Sequence, residues 1–183
     1  GSNIGIGRQA LFRNEGRSNV AIGQAAGSMD GQTTPIISYN VLIGAQAGAR
    51  ILSGSSQAVF VGYNAGNYGT YSDNIGIGGS VLGGDSTNRD TDATKNIAIG
   101  AEAMRAYAGK ANQNIVIGHG EAARAVSGST TSEGSQNVGI GYNVFRNITT
   151  GATNVALGYQ AGYANTTGGG NVFLGYKAGY DAT

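Results

Sequence analysis

The side chains able to do chemistry are few in this 183-residue chain. The sole histidine, His119, has Glu121 two residues on, and there is no cysteine. A nucleophilic triad or a zinc centre needs more histidine or a thiolate, so His119 reads as a surface residue. Asp85, Asp90 and Asp92 share one polar stretch, while Asp30 and Glu133 lie in two others. Glycoside cleavage requires two carboxylates facing each other across roughly 5–9.5 Å; these read instead as solvated charges, with Asp85, Asp90 and Asp92 as candidate binding residues. The Asp90-Thr91-Asp92 spacing suggests calcium, yet the full EF-hand pattern and the Gly-Gly-x-Gly-x-Asp repeat are both missing. The expectation is a protein that is not an enzyme, with no metal and no cofactor.

Tyrosine supplies the better binding candidates. Tyr142, Tyr159 and Tyr176 follow the same glycine in three successive copies of a repeated phrase, and Tyr63 follows it in an earlier copy. Tyr163 and Tyr180 share a second position in the last two copies. Brought into line, such rings make a stripe that can receive sugar rings while hydroxyls orient them. A packing ladder or a subunit contact is the alternative reading of the same spacing.

The phrase that positions them runs Asn, β-branched residue, small or apolar residue, aliphatic residue, Gly. Its copies start at Asn3, Asn19, Asn40, Ala58, Asn74, Asn96, Asn114, Asn137, Asn154 and Asn171. A repeat of this length is too short for a helical hairpin and suits one coil of a β-solenoid. The predicted fold class is all-β: a parallel β-solenoid of about ten short-strand coils, each rising about 4.8 Å along the axis. Pairs such as Ile4/Ile6, Ile97/Ile99 and Val172/Leu174 are two residues apart and share a strand face; stacked, they are expected to form an aliphatic core column. The residue between them is never polar and includes Leu42, Phe60, Val116 and Phe173. Both faces are therefore dry, where a strand with one wet face would alternate. One face lines the coil and the other must meet something else, most simply another copy of the chain; the pattern leaves open which is which. The Gly after each strand fits a corner of positive φ or close approach, and the Asn before it suits an amide ladder. The longer intervals, roughly 28–39, 83–95 and 127–136, read as projecting loops.

Composition removes several classes. There are 34 Gly and 1 Pro without a Gly-X-Y period, which excludes collagen. The 11 basic and 10 acidic residues are dispersed, unlike the basic stripe of a nucleic-acid binder or the polybasic patch of a membrane-surface protein. No apolar run approaches 18 residues, so no membrane insertion is expected. Residues 1–2, Gly-Ser, read as a cloning scar ahead of one repeat domain spanning 3–183.

Asn-Val-Ala-Ile-Gly at 19–23 and Asn-Ile-Ala-Ile-Gly at 96–100 resemble the head repeats of YadA-type trimeric autotransporter adhesins. The stretch from Gly158 to Gly168 and the following Asn-Val-Phe-Leu-Gly-Tyr-Lys-Ala-Gly are similar to repeats of bacteriophage tail fibres. The adhesin heads repeat at a shorter, more uniform length, which favours the phage relatives. Either resemblance implies a left-handed β-roll assembled as a homotrimer, extracellular, on a virion tail fibre or a bacterial surface. It implies attachment to a host cell-surface glycan or outer-membrane protein. A purely structural shaft is the alternative, and a tailspike-like depolymerase a more distant one.

Overall fold

The computed structural model describes residues 1–29, 36–52, 54–84, 92–105, 111–120 and 134–182. Among these residues twelve strands of three residues follow one another: β1 (Ile4–Ile6), β2 (Val20–Ile22), β3 (Val41–Ile43), β4 (Val59–Val61), β5 (Thr70–Ser72), β6 (Ile75–Ile77), β7 (Asp92–Thr94), β8 (Ile97–Ile99), β9 (Ile115–Ile117), β10 (Val138–Ile140), β11 (Val155–Leu157) and β12 (Val172–Leu174). Ten of them, one per phrase, form a parallel sheet ordered β1-β2-β3-β4-β6-β8-β9-β10-β11-β12, and β5 pairs with β7 in a second, two-stranded sheet. The chain is an all-β, parallel β-solenoid. Register holds phrase on phrase: Ile4 faces Val20, Ile97 faces Ile115, and Leu157 faces Leu174.

Each strand is short because its ends are fixed chemically. Asn at the entry is buried from Asn19 to Asn154 and bonds along the stack. The Asn19 amide N–H donates to Asn3 Oδ1 at 2.9 Å, and the same contact recurs from Asn114 to Asn96 and from Asn154 to Asn137, also at 2.9 Å. Asn Nδ2 then reaches across the coil to a carbonyl of the opposite leg, as from Asn96 to Ala111 O at 2.8 Å. Ala58 receives this ladder from Asn40 Oδ1 at 2.9 Å but has no side-chain amide to pass it on. At the exit, Gly62 adopts φ +134°, and a Cβ there would lie 2.4 Å from the Gly78 carbonyl oxygen. Only glycine permits both that backbone and that approach.

The faces are the reverse of the core column expected for the pairs. Ala21, Leu42, Phe60, Ala98, Val116 and Ala156, the middle residues, are fully buried. The flanking pairs point outward: Ile22, Ile43, Ile75, Ile77, Ile115, Ile117 and Ile140 are 36–40% exposed. A three-residue strand with its flanks turned out places one side chain in the coil, and the narrow interior is completed from the leg after the corner.

That completion follows a size rule. Where the strand centre is Gly5, Gly76 or Gly139, the residue six positions on is Leu11, Leu82 or Phe145. Where the centre is Leu42, Phe60 or Phe173, the partner is Gly48, Gly66 or Gly179. A Cβ on Gly66 would lie 2.3 Å from the Phe60 ring, and one on Gly48 would lie 2.7 Å from Leu42. These coils thus hold one large side chain across their width, and where both positions are small, at Ala21 with Gly27 and Ala156 with Gly162, Leu11 and Leu42 or Phe145 and Phe173 of the adjacent coils fill the space.

The long intervals are only partly loop. Met29 and Ile37 are core residues, Ser28 is buried beside them, and Asp92–Thr94 forms β7 rather than a projection. β5 and β7, with bridges Ser38–Ser56, Ser56–Ser72 and Thr94–Asn112, build a second parallel ladder on the opposite leg.

Candidate functional site

The corner glycine delivers the next side chain to the margin of the outward sheet face. In successive coils this position holds His119, Tyr142, Tyr159 and Tyr176. Their rings form a continuous stack: His119–Tyr142 at 6.2 Å between centroids, Tyr142–Tyr159 at 5.3 Å and Tyr159–Tyr176 at 5.4 Å, with planes within 13° of parallel. Tyr163 and Tyr180 make a second stack at 4.8 Å. Lys177 joins the two, its Nζ lying 5.6 Å from the Tyr176 centroid and 4.9 Å from that of Tyr180. Arg146 Nη1 donates to the Tyr163 hydroxyl at 2.9 Å, with its guanidinium 5.9 Å from the ring centroid.

The structure therefore brings together five of the tyrosines singled out by their spacing, and adds Arg146, Lys177 and His119. It also changes what they can do. Within each stack the ring faces are turned to one another, so edges rather than faces are presented sideways. Tyr63 occupies the first slot far from this cluster and is 62% exposed. Its counterparts one coil away, Ala45 and Gly79, carry no ring. Among the carboxylates, Asp85 and Asp90 lie outside the described residues, as do Glu121, Asp30 and Glu133, and Asp92 opens β7. Among the described residues, no three His, Cys, Asp or Glu side chains gather as metal ligands.

A second surface feature gave no signal in the sequence. On the same leg as the Tyr163 stack, but in the first coils, lies a groove of about 180 Å³ lined by Gln9, Gln24, Ala25, Ser28, Gln46, Ala49, Arg50 and Asn67. Counting from each corner Gly, Ser28, Ala49 and Asn67 stand in the fifth position, where later coils carry Arg146, Tyr163 and Tyr180. The groove exists because that position is small or withdrawn here: Ser28 and Ala49 are each 6% exposed and Asn67 3%. Arg50 flanks it, donating to the Tyr68 hydroxyl with its guanidinium 5.3 Å from the ring centroid.

No protein-family model, curated protein or solved structure matches the chain.

Proposed function

We propose that the chain is a receptor-binding segment of a homotrimeric, left-handed β-roll fibre, a phage tail fibre or a bacterial adhesin head, attaching to a cell-surface glycan or outer-membrane protein. The carrying observation is the outward face of the ten-stranded sheet. It is aliphatic at both outward positions of every strand, from Ile4 and Ile6 to Val172 and Leu174. An unbroken apolar face of this length is a mark of an interface. A second copy offers the same columns at the same spacing, so each ridge of one meets the groove between columns of the other. The number three comes from the resemblance to trimeric heads and fibres.

Attachment then works through repetition. Three copies of a modest site on one stiff rod gain avidity from effective concentration without needing a deep pocket in any copy. Light-scattering mass of the purified chain checks the assembly: the expected value is three times the 18.4 kDa chain mass. A monomer overturns the reading, and Ile115→Asp with Ile117→Asp is expected to shift a trimer to a soluble monomer. A shaft without receptor contacts is distinguished by cell attachment that survives alanine substitution both across the tyrosine slots and at Arg50 in the groove.

A further inference from the structure

The geometry points to the groove over the first coils as a binding site for a single pyranose residue of a glycan. This names a ligand class for the attachment function proposed above and rests on that reading for its biological setting. The groove itself is built within one chain and does not depend on assembly.

The lining decides the ligand class. Three primary amides (Gln9, Gln24 and Gln46), one hydroxyl (Ser28), a fourth amide (Asn67) and one guanidinium (Arg50) surround only two methyl groups, Ala25 and Ala49. That is too polar for a lipid or an aromatic ligand. No carboxylate lines it, so a metal cation or an amine has no counter-charge. Each amide offers both a donor and an acceptor, as each sugar hydroxyl does, and such groups match one another in either direction. A volume of about 180 Å³ falls below the roughly 300 Å³ at which pockets begin to enclose drug-sized ligands, which suits one ring.

An independent observation points the same way. Asn67 is 3% exposed, and its Oδ1 accepts no hydrogen bond from the described residues. Its Nδ2 is held by donation to Asn64 Oδ1, which fixes the amide's orientation. Buried carbonyl oxygens are rarely left without a donor. The oxygens of a ring seated in the groove accept from the Arg50 guanidinium and the Gln24 and Gln46 amides, and a small outward turn of the enclosed Asn67 amide brings its Oδ1 to a ring hydroxyl. Arg50 is already oriented by the Tyr68 hydroxyl and ring, so it presents its other N–H groups without further ordering.

Saturation-transfer NMR on the whole chain tests this, using free D-glucose, D-galactose, N-acetyl-D-glucosamine and D-glucuronate at millimolar concentration. Transfer to at least one sugar is expected. Arg50→Ala is expected to weaken it about tenfold or more, as loss of a charged hydrogen bond does. Ala49→Tyr, which imports the side chain that later coils carry at this position, is expected to abolish it. Arg50 is exposed, so its alanine variant is expected to keep the wild-type circular dichroism spectrum and melting midpoint even if Ala49→Tyr perturbs folding. Response to glucuronate alone identifies an acidic glycan, and response to the neutral sugars a neutral one; both support the site. No transfer to any of the four overturns it, as does transfer undiminished in Arg50→Ala. Light-scattering mass decides the trimer separately, so failure of one reading is not mistaken for failure of the other.

Discussion

The first coils and the last coils share one backbone and differ in what the leg after the corner carries. In the last coils the first position after each corner holds Tyr142, Tyr159 and Tyr176, and the fifth holds Arg146, Tyr163 and Tyr180. Parallel stacking at 4.8–5.4 Å turns that leg into a filled ridge of aromatic edges and two cations. In the second to fourth coils the same positions hold Gln24, Ala45 and Tyr63, then Ser28, Ala49 and Asn67, and at the fifth position the leg is hollow and lined with amides. The sheet, the corner glycines and, apart from its break at Ala58, the Asn ladder are common to both. Shape and chemistry of the outer surface are thus set by the fifth position and the first, independently of what holds the rod together.

The largest test of that separation lies inside the rod. Gly66→Ala puts a Cβ against the Phe60 ring in a left-handed backbone (φ +61°), and a loss of about 3 kcal/mol or more is expected in urea unfolding. The equivalent change at the other end, Gly179→Ala, meets Phe173, which is only partly buried. It is expected to cost clearly less, because that ring has room to move. Equal losses would mean that the two ends are packed alike.

A smaller effect separates the two surfaces. Tyr159→Ala removes the central ring of the stack and is expected to cost about 1–2 kcal/mol. Gln24→Ala, at the same position of an early coil, is expected to stay within about 0.5 kcal/mol. Matching melting midpoints for the two variants would show that the tyrosine stack contributes nothing to stability.

The smallest concerns a conformation common to the whole length. From the second phrase on, the residue before the phrase is left-handed; at Ser18, Gln57, Lys95, Gln113 and Thr153 φ lies between 57° and 61°. For a β-branched residue this is strained. Thr153→Gly is therefore expected to raise stability by about 0.5–1 kcal/mol, whereas Gln57→Gly should do less. A thermal melt showing no gain at Thr153 would count against strain there.

Much of the scaffold could be read from the chain before its structure. The phrase starts located the strands of the long sheet, and the Asn and Gly positions named the ladder and the corner. The orientation of the faces could not be read from alternation, because the inner and outer positions are both apolar. Its trace lay elsewhere, in the reciprocal sizes of residues six apart, such as Gly5 with Leu11 and Phe60 with Gly66. The leg after the corner was less legible still. Its backbone alternates through left-handed residues that are not glycine, among them Gln9, Gln46, Glu102 and Gln160, and no propensity announces them. The tyrosine slots were found because equal offsets bring equal side chains into line. That their faces would close on each other follows from coil spacing, which is near ring-stacking distance. The groove is not legible in the sequence because it is defined by small residues at Ser28 and Ala49, and a missing side chain leaves no pattern.

The column of corner glycines has a consequence for how such a chain can change. Because each glycine sits within contact distance of the carbonyl of the next, the phrases must meet tooth for tooth, while the chain between them is free to vary from 16 to 23 residues per step. Changes of length therefore fall between the phrases, outside the strand, its corner and the size-matched residue that follows. A molecule built this way can redraft its surface, or lengthen by whole modules, without renegotiating its spine.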